Sequence, residues 1–226
     1  MSLLWPCFAI TTLALTASAL LNVSLPAHIL ALGGTVMQVG LVVALNRGAS
    51  MVLRPITGGL VDRYGARFVL VPAVLCLLAT SLAFHLVHSP WLIVLMMIGV
   101  GIGVGGIATS SGVLVASSTP PERRGRALTI YYLSSAVAIA IGPTLGLLLT
   151  ANAVMPSNFA AVTALALLVG AVVVFLPLPA RANAAARPGW RLISLRQPFL
   201  LATLMLCSLG AETLYAFLPL LSLIHI

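Results

Sequence analysis

The apolar positions of this chain fall in long runs rather than in stripes. The runs lie at roughly 7–30, 36–57, 68–88, 91–117, 127–150, 158–178 and 198–220, with short linkers between them. A helix that crosses the hydrocarbon of a bilayer needs about 20 apolar residues, and all seven runs reach that length. Backbone groups in lipid must be satisfied within their own segment, so the runs are expected to be helices. Barrel strands would alternate apolar and polar residues over about ten positions, and these runs do not. The pattern predicts an all-α polytopic membrane protein embedded in a lipid bilayer.

Composition strengthens that reading. Hydrophobic residues make up 61% of the 226 and charged residues 6%, against roughly a quarter charged in a soluble domain. The net charge of +8 comes wholly from arginine. Nucleic-acid binding needs a clustered basic face with reading groups. Here the arginines are spread over short loops, so no nucleic-acid partner is expected. Cys7, Cys76 and Cys207 each lie in a separate apolar run without a CxxC pair, which favours small buried hydrophobes over a disulfide or metal site. The N-terminus has no basic region ahead of its first run, so that run reads as a span rather than a cleaved signal.

The arginines orient the spans. Arg63 and Arg67 follow the second run, Arg123, Arg124 and Arg126 the fourth, and Arg181, Arg187, Arg191 and Arg196 the sixth. The linkers near 31–35, 85–90 and 151–157 carry none. By the positive-inside rule the basic linkers and the N-terminus are cytoplasmic, as expected for a multi-pass protein of a bacterial plasma membrane.

The first and seventh runs look alike. Each has a proline near its cytoplasmic end, Pro6 and Pro198, and a Leu-Pro about one span later, at Pro26 and Pro219. Repeats mark many transporters, although coincidence between two apolar helices stays open. The longest linker, 179–197, separates an expected six-helix bundle at 1–178 from a seventh helix at 198–220, which would begin a second bundle. The closing "LSLIHI" at 221–226 ends a helix with no cap or loop. It matches what a sequencing-library transposon end encodes in frame, and is expected to be an artefact.

The stretch "GGLVDRYGARFVL" at 58–70 holds Asp62, one of only three acids in the chain. It resembles the signature loop of the major facilitator superfamily, Gly-x-Leu-x-Asp-Arg-x-Gly-basic-basic-x-x-Leu. Gly58, Leu60, Asp62, Arg63, Gly65, Arg67 and Leu70 match, and Ala66 replaces the first basic residue. "RPITG" at 54–58 is similar to the family's lead-in, and "PPERRGRALTIYYL" at 120–133 to its loop before span five. "IGPTLG" at 141–146 resembles the fifth-span motif of drug–proton antiporters, with Ala138 and Leu147 standing where that pattern has glycines. The resemblance implies a six-helix N-terminal bundle and the start of a second. It also implies a small-molecule substrate, protons as coupling partners, and alternating access that needs the missing C-terminal bundle. Efflux by proton antiport is the favoured direction; uptake by symport, or a non-transporting receptor or scaffold of the same fold, are the alternatives. Many family members carry an arginine in span four linked to proton coupling, but Leu95, Met96, Met97 and Ile98 fill that region here, which leaves a different coupling scheme open.

The residues themselves support a latch. Glycines let two helices turn tightly, and a carboxylate near helix ends accepts from backbone N–H groups and arginines. Gly58, Asp62, Arg63, Gly65 and Arg67 are therefore expected to form a conformational latch at the cytoplasmic side. The alternative is that the arginines only set topology.

Polar groups within the runs are the substrate or coupling candidates. Arg47 falls in the middle of the second run, where a charge costs several kcal/mol. Arg47, Ser50 and Arg54 share one helical face. Arg54 lies near the cytoplasmic end and can snorkel, which suits a structural role. Glu212 is the one carboxylate inside a run and a candidate proton carrier; a structural ion pair, for instance with Arg47, competes. Thr11, Ser18 and Asn22 share a face of the first span, and Tyr131, Tyr132 and Ser135 lie on the fifth; both sets could line a pathway or bond neighbouring helices. His85 and His88 sit at the outer end of the third span with no third ligand nearby, so no metal is expected.

"GVGIGVGG" at 99–106 contains a formal GxGxxG but has no strand before it, so it is no dinucleotide fingerprint. Its small residues, and the line Ala138, Gly142 and Gly146, suit close helix packing. Pro143 between those glycines would kink the span or free a carbonyl. Three scattered acids and four histidines supply no clustered catalytic set, so neither an enzyme nor a cofactor is expected.

Overall fold

The computed structural model describes residues 3–151 and 155–176. Six helices follow one another: α1 (Leu4–Ala31), α2 (Val36–Tyr64), α3 (Ala66–Ala83), α4 (Pro90–Ser118), α5 (Pro121–Ala151) and α6 (Met155–Phe175). All six are long and apolar enough to cross a membrane. The seventh run, with Cys207 and Glu212, the linker at 179–197 and the segment 221–226 lie outside the described residues.

α1 and α4 form the centre. More than half of their spans is buried, 61% and 56%, against 17% for α2 and 22% for α5. α1 packs along α5 and α6, α4 packs along α2 and α3, and α1 and α4 also touch. Exchanging the first three helices for the second three reproduces this pattern, with α3 against α6 as the shared contact. Since successive helices alternate in direction, the two triplets have inverted topology, the internal symmetry found in many transporters.

Glycine makes the central packing possible. α4 carries small residues on two sides. A Cβ at Gly101 would collide with the backbone oxygen of Asn46, and one at Gly105 would lie 2.7 Å from Ser50 Oγ, so this side seats α2. A Cβ at Gly103 would lie 2.9 Å from Leu77 Cβ, and one at Gly106 2.7 Å from Ala73 Cβ, so the other side seats α3. The run read as a failed nucleotide motif is thus a double seam. α5 meets α1 in the same manner: a Cβ at Gly142 would stand 2.6 Å from Ala19 Cβ, and one at Gly146 3.2 Å from the Leu20 carbonyl. α5 continues as helix through Pro143.

Helix ends differ from the sequence expectation in two places. Asp62 and Arg63, expected in a loop, lie in the last turn of α2, and Gly65 alone separates α2 from α3. Gly65 is buried with φ of +91°, a conformation that favours glycine, and this single residue turns the chain. Likewise Arg123, Arg124 and Arg126 belong to the first two turns of α5. Hydropathy marks only the lipid-buried part of a helix, and both helices run past it. In the other direction, α3 stops at Ala83 rather than near 88. Pro90 at the start of α4 holds Ser89 extended, and Phe84 turns inward to stack on Phe159 of α6, centroids 5.5 Å apart. His85 and His88 therefore follow α3 instead of ending it.

Thr35 caps α2 in a reciprocal box. Gln38 N donates to Thr35 Oγ1 at 3.4 Å, and Thr35 N donates to Gln38 Oε1 at 2.7 Å. The T-x-x-Q spacing of such a box is readable in sequence.

Candidate functional site

Two clusters of polar residues within the spans are joined by hydrogen bonds between helices. The first joins α1 to α2. Asn46 is 2% exposed, and its amide nitrogen donates to Ser18 Oγ at 2.9 Å and to Asn22 Oδ1 at 3.2 Å. An amide carries two donor hydrogens, and both are committed to α1. Asn22 is half-buried. Its oxygen faces Asn46, which leaves its NH2 as the group it can offer elsewhere. Arg47 follows Asn46 in the chain and is also half-buried. Asn22 lies nine positions from the end of α1 and Asn46 ten from the start of α2, so the cluster sits at one depth, on the side of mid-span nearer the α1–α2 link.

Asn46 escaped the sequence reading because Arg47 beside it is the costlier residue in lipid. The readable signal was an amide in an apolar run, one position from a charge. Arg47, Ser50 and Arg54, expected on a common face, fare differently. Ser50 packs under Gly105 of α4, whereas Arg54 is exposed.

The second cluster ties three helices together. Tyr131 of α5 is 2% exposed and donates its hydroxyl hydrogen to the Ala108 carbonyl of α4 at 2.8 Å. Thr11 Oγ1 of α1 lies 3.1 Å from the same hydroxyl. A phenol has one hydrogen, so Thr11 is the donor in that bond. Tyr131, expected as a pathway candidate or a helix-bonding residue, has its hydroxyl engaged by two helices. Ser135 donates to the Tyr132 carbonyl within α5 at 2.7 Å, and the Tyr132 ring is 63% exposed.

At the opposite depth from the Asn22 cluster, Asp62, Arg63 and Arg67 are all exposed. The Arg63 guanidinium stands 5.2 Å from the centroid of the Tyr64 ring, and Tyr64 contacts Phe68 across the turn, centroids 4.9 Å apart. Gly58 is half-buried, and a Cβ there would meet nothing within 4 Å. Past the far end of α3, His85 Nε2 lies 3.1 Å from Thr163 Oγ1 of α6. Thr163 gives its own hydrogen to the Ser81 carbonyl at 3.4 Å, so His85 is the donor. Among the described residues no group of three or more His, Cys, Asp or Glu side chains could hold a metal ion.

Comparison with known proteins places this geometry. Curated proteins named "Multidrug resistance protein MdtH" from Shigella flexneri, Shigella boydii and Escherichia coli are each 27% identical to the chain over 167 residues. The matched stretch is 74% of this chain and 39% of each relative, so the chain spans about two-fifths of the relatives' length. The sequence model of the Major Facilitator Superfamily matches residues 7–226. Six apolar helices in two inverted triplets, with the Gly-Leu-Asp-Arg-Gly-Arg pattern at the turn between the second and third, are consistent with that match, and the chain belongs to the Major Facilitator Superfamily.

Proposed function

We propose that the chain forms the N-terminal bundle of a transporter that exports a small solute across the bacterial inner membrane in exchange for protons. Alternating access requires a second bundle to rock against this one. The observation that carries the reading is the hydrogen-bonded Asn46–Asn22–Ser18 cluster beside Arg47, which holds amide groups and a charge at one depth within the spans. Polar and ionisable residues inside a membrane are costly and mark solute or ion paths. Efflux is favoured by the partial fifth-span motif and by the name of the relatives, a multidrug resistance protein. Arg47 and Asn22 are the solute contacts we assign to this half, with Glu212 as the proton carrier. The cytoplasmic N-terminus follows from the placement of the arginines.

Asp62, Arg63 and Arg67, with Gly58 and Gly65, form the latch in this reading. Their exposure in the first bundle suits partners on another bundle, engaged in one state and released in the other.

The test uses everted membrane vesicles containing the full-length protein and ethidium as probe. Accumulation of ethidium that needs an imposed proton gradient, and stops when nigericin collapses it, is the expected result. Gradient-driven accumulation only in right-side-out vesicles would mean uptake. Transport in neither orientation, for ethidium and for a panel of lipophilic dyes, would overturn the transporter reading in favour of a receptor.

A further inference from the structure

α3 and α6 face each other across a groove of about 630 Å³. α3 lines it with Arg67, Val74 and Leu78, and α6 with Leu167 and Gly170, with Leu176 just past the end of α6. Among the described residues Arg67 is the one charged member of the lining. The helices are antiparallel, so Arg67 shares its end of the groove with Leu176, while Leu78 and Leu167 share the other.

We propose that this groove binds one anionic phospholipid, with its phosphate on Arg67 and an acyl chain along Val74, Leu78 and Gly170. Length supports the assignment. From Arg67 to Leu78 the helix advances about 16 Å at its usual rise, and one leaflet of hydrocarbon is about 15 Å deep. The groove therefore spans a single leaflet and has its cation at headgroup depth. A guanidinium binds phosphate oxygens in a bidentate manner, and among the described residues of the lining no other side chain could orient a polar solute. Gly170 keeps the floor open: a Cβ there would touch Leu78 Cδ1 at 3.5 Å and Val74 Cγ1 at 3.7 Å, so any longer side chain would extend into the groove. Phosphatidylethanolamine and phosphatidylcholine carry a cation of their own beside the phosphate. Phosphatidylglycerol does not, and leaves the whole charge to Arg67. The assignment rests on the membrane-spanning arrangement of the helices and not on the direction or coupling of transport.

The experiment is native mass spectrometry of the full-length protein, extracted in mild detergent and equilibrated with equal amounts of phosphatidylglycerol and phosphatidylethanolamine. The wild type is expected to keep at least one phosphatidylglycerol in preference to phosphatidylethanolamine. Arg67→Gln should lower that preference by about fivefold, the worth of one basic residue at an anionic surface. Gly170→Leu should remove one bound lipid while leaving Arg67 in place. If Gly170→Leu is not monodisperse, Ala171→Leu at the exposed rim of the groove repeats the test. Equal phosphatidylglycerol occupancy in all variants overturns the proposal. Loss in Arg67→Gln alone means that the arginine attracts lipid at the surface without the groove, which also overturns it. Loss in Gly170→Leu alone means a lipid without headgroup selection, and overturns the anionic assignment. A wild type that retains no lipid at all, yet transports ethidium, would sink the lipid site and leave the transporter reading standing.

Discussion

Asn46 Nδ2 lies 3.2 Å from Asn22 Oδ1, and this bond decides which half of the Asn22 amide is left to face outward. With its oxygen turned to α2, Asn22 offers N–H donors. Asn46 is thus a positioning residue, buried at 2% exposure, and Asn22 is the residue it aims. Interhelical polar bonds in membrane proteins are worth about 0.6 kcal/mol on average and up to about 1.7. A double-mutant cycle of Asn22→Ala and Asn46→Ala, read by thermal unfolding in detergent, should return a coupling in that range. A coupling indistinguishable from zero would mean that the two amides act independently. Asn46→Asp can only accept when ionised, so it should turn Asn22 around and change which probes are exported more than how fast they are exported.

Tyr131→Phe removes the hydroxyl that links Thr11 to the Ala108 carbonyl. The ring stays, so packing is unchanged, and two buried polar groups lose a partner. The expected cost is about 1–2 kcal/mol, seen as a lower melting temperature in detergent. Thr11→Val should cost less, because Tyr131 keeps its bond to α4.

Glycines divide by what surrounds them. Gly101→Ala would drive a methyl into the Asn46 backbone, and backbone cannot swing aside, so the α2–α4 seam must open. We expect little monodisperse protein by size-exclusion chromatography. Gly170→Ala meets only ordinary contacts at 3.5 Å and beyond and should fold normally, with a slight gain of about 1 kcal/mol or less from helix propensity.

Ser110 and Ser111 of α4 are fully buried, and neither hydroxyl has a hydrogen-bond partner. Replacing an unsatisfied buried hydroxyl by hydrogen is neutral or favourable. Ser111→Ala should therefore raise the melting temperature slightly, by the equivalent of about 1 kcal/mol or less, and leave transport intact. Loss of transport with stability unchanged would show instead that the hydroxyl meets solute.

Asp62→Asn tests the latch. The side chain is exposed in this bundle, so insertion and stability should be unaffected. Ethidium transport in vesicles should fall by about tenfold or more, an interstate bias of about 1.4 kcal/mol. Normal insertion with unchanged transport would return the arginines to a purely topological role.

The six helices were legible along the chain because lipid demands an uninterrupted apolar stretch of fixed length, and that requirement is one-dimensional. The turn pattern at 58–70 was legible for a similar reason, since a one-residue reversal at positive φ needs Gly65 and leaves its neighbours little freedom. Helix ends were less legible. Asp62 and Arg63 extend α2, and Arg123 begins α5, because a helix stops where its hydrogen bonds and caps stop, not where hydropathy falls. The polar clusters were half visible: Thr11, Ser18 and Asn22 announced a polar face of α1, but nothing in the order of residues named Asn46 or the Ala108 carbonyl as their partners.

By itself, then, the sequence determined the solvent of this protein, the number of its described spans and the small residues that would let them approach. Only the tertiary structure decided which helices are central, that Gly101 and Gly105 seat α2 while Gly103 and Gly106 seat α3, and that Asn46 holds Asn22. The division has a physical cause. Transfer into lipid is a sum over residues read one at a time, whereas a hydrogen bond or a helix seam depends on two segments arriving at the same depth and angle, and that is settled by the packing of the whole bundle.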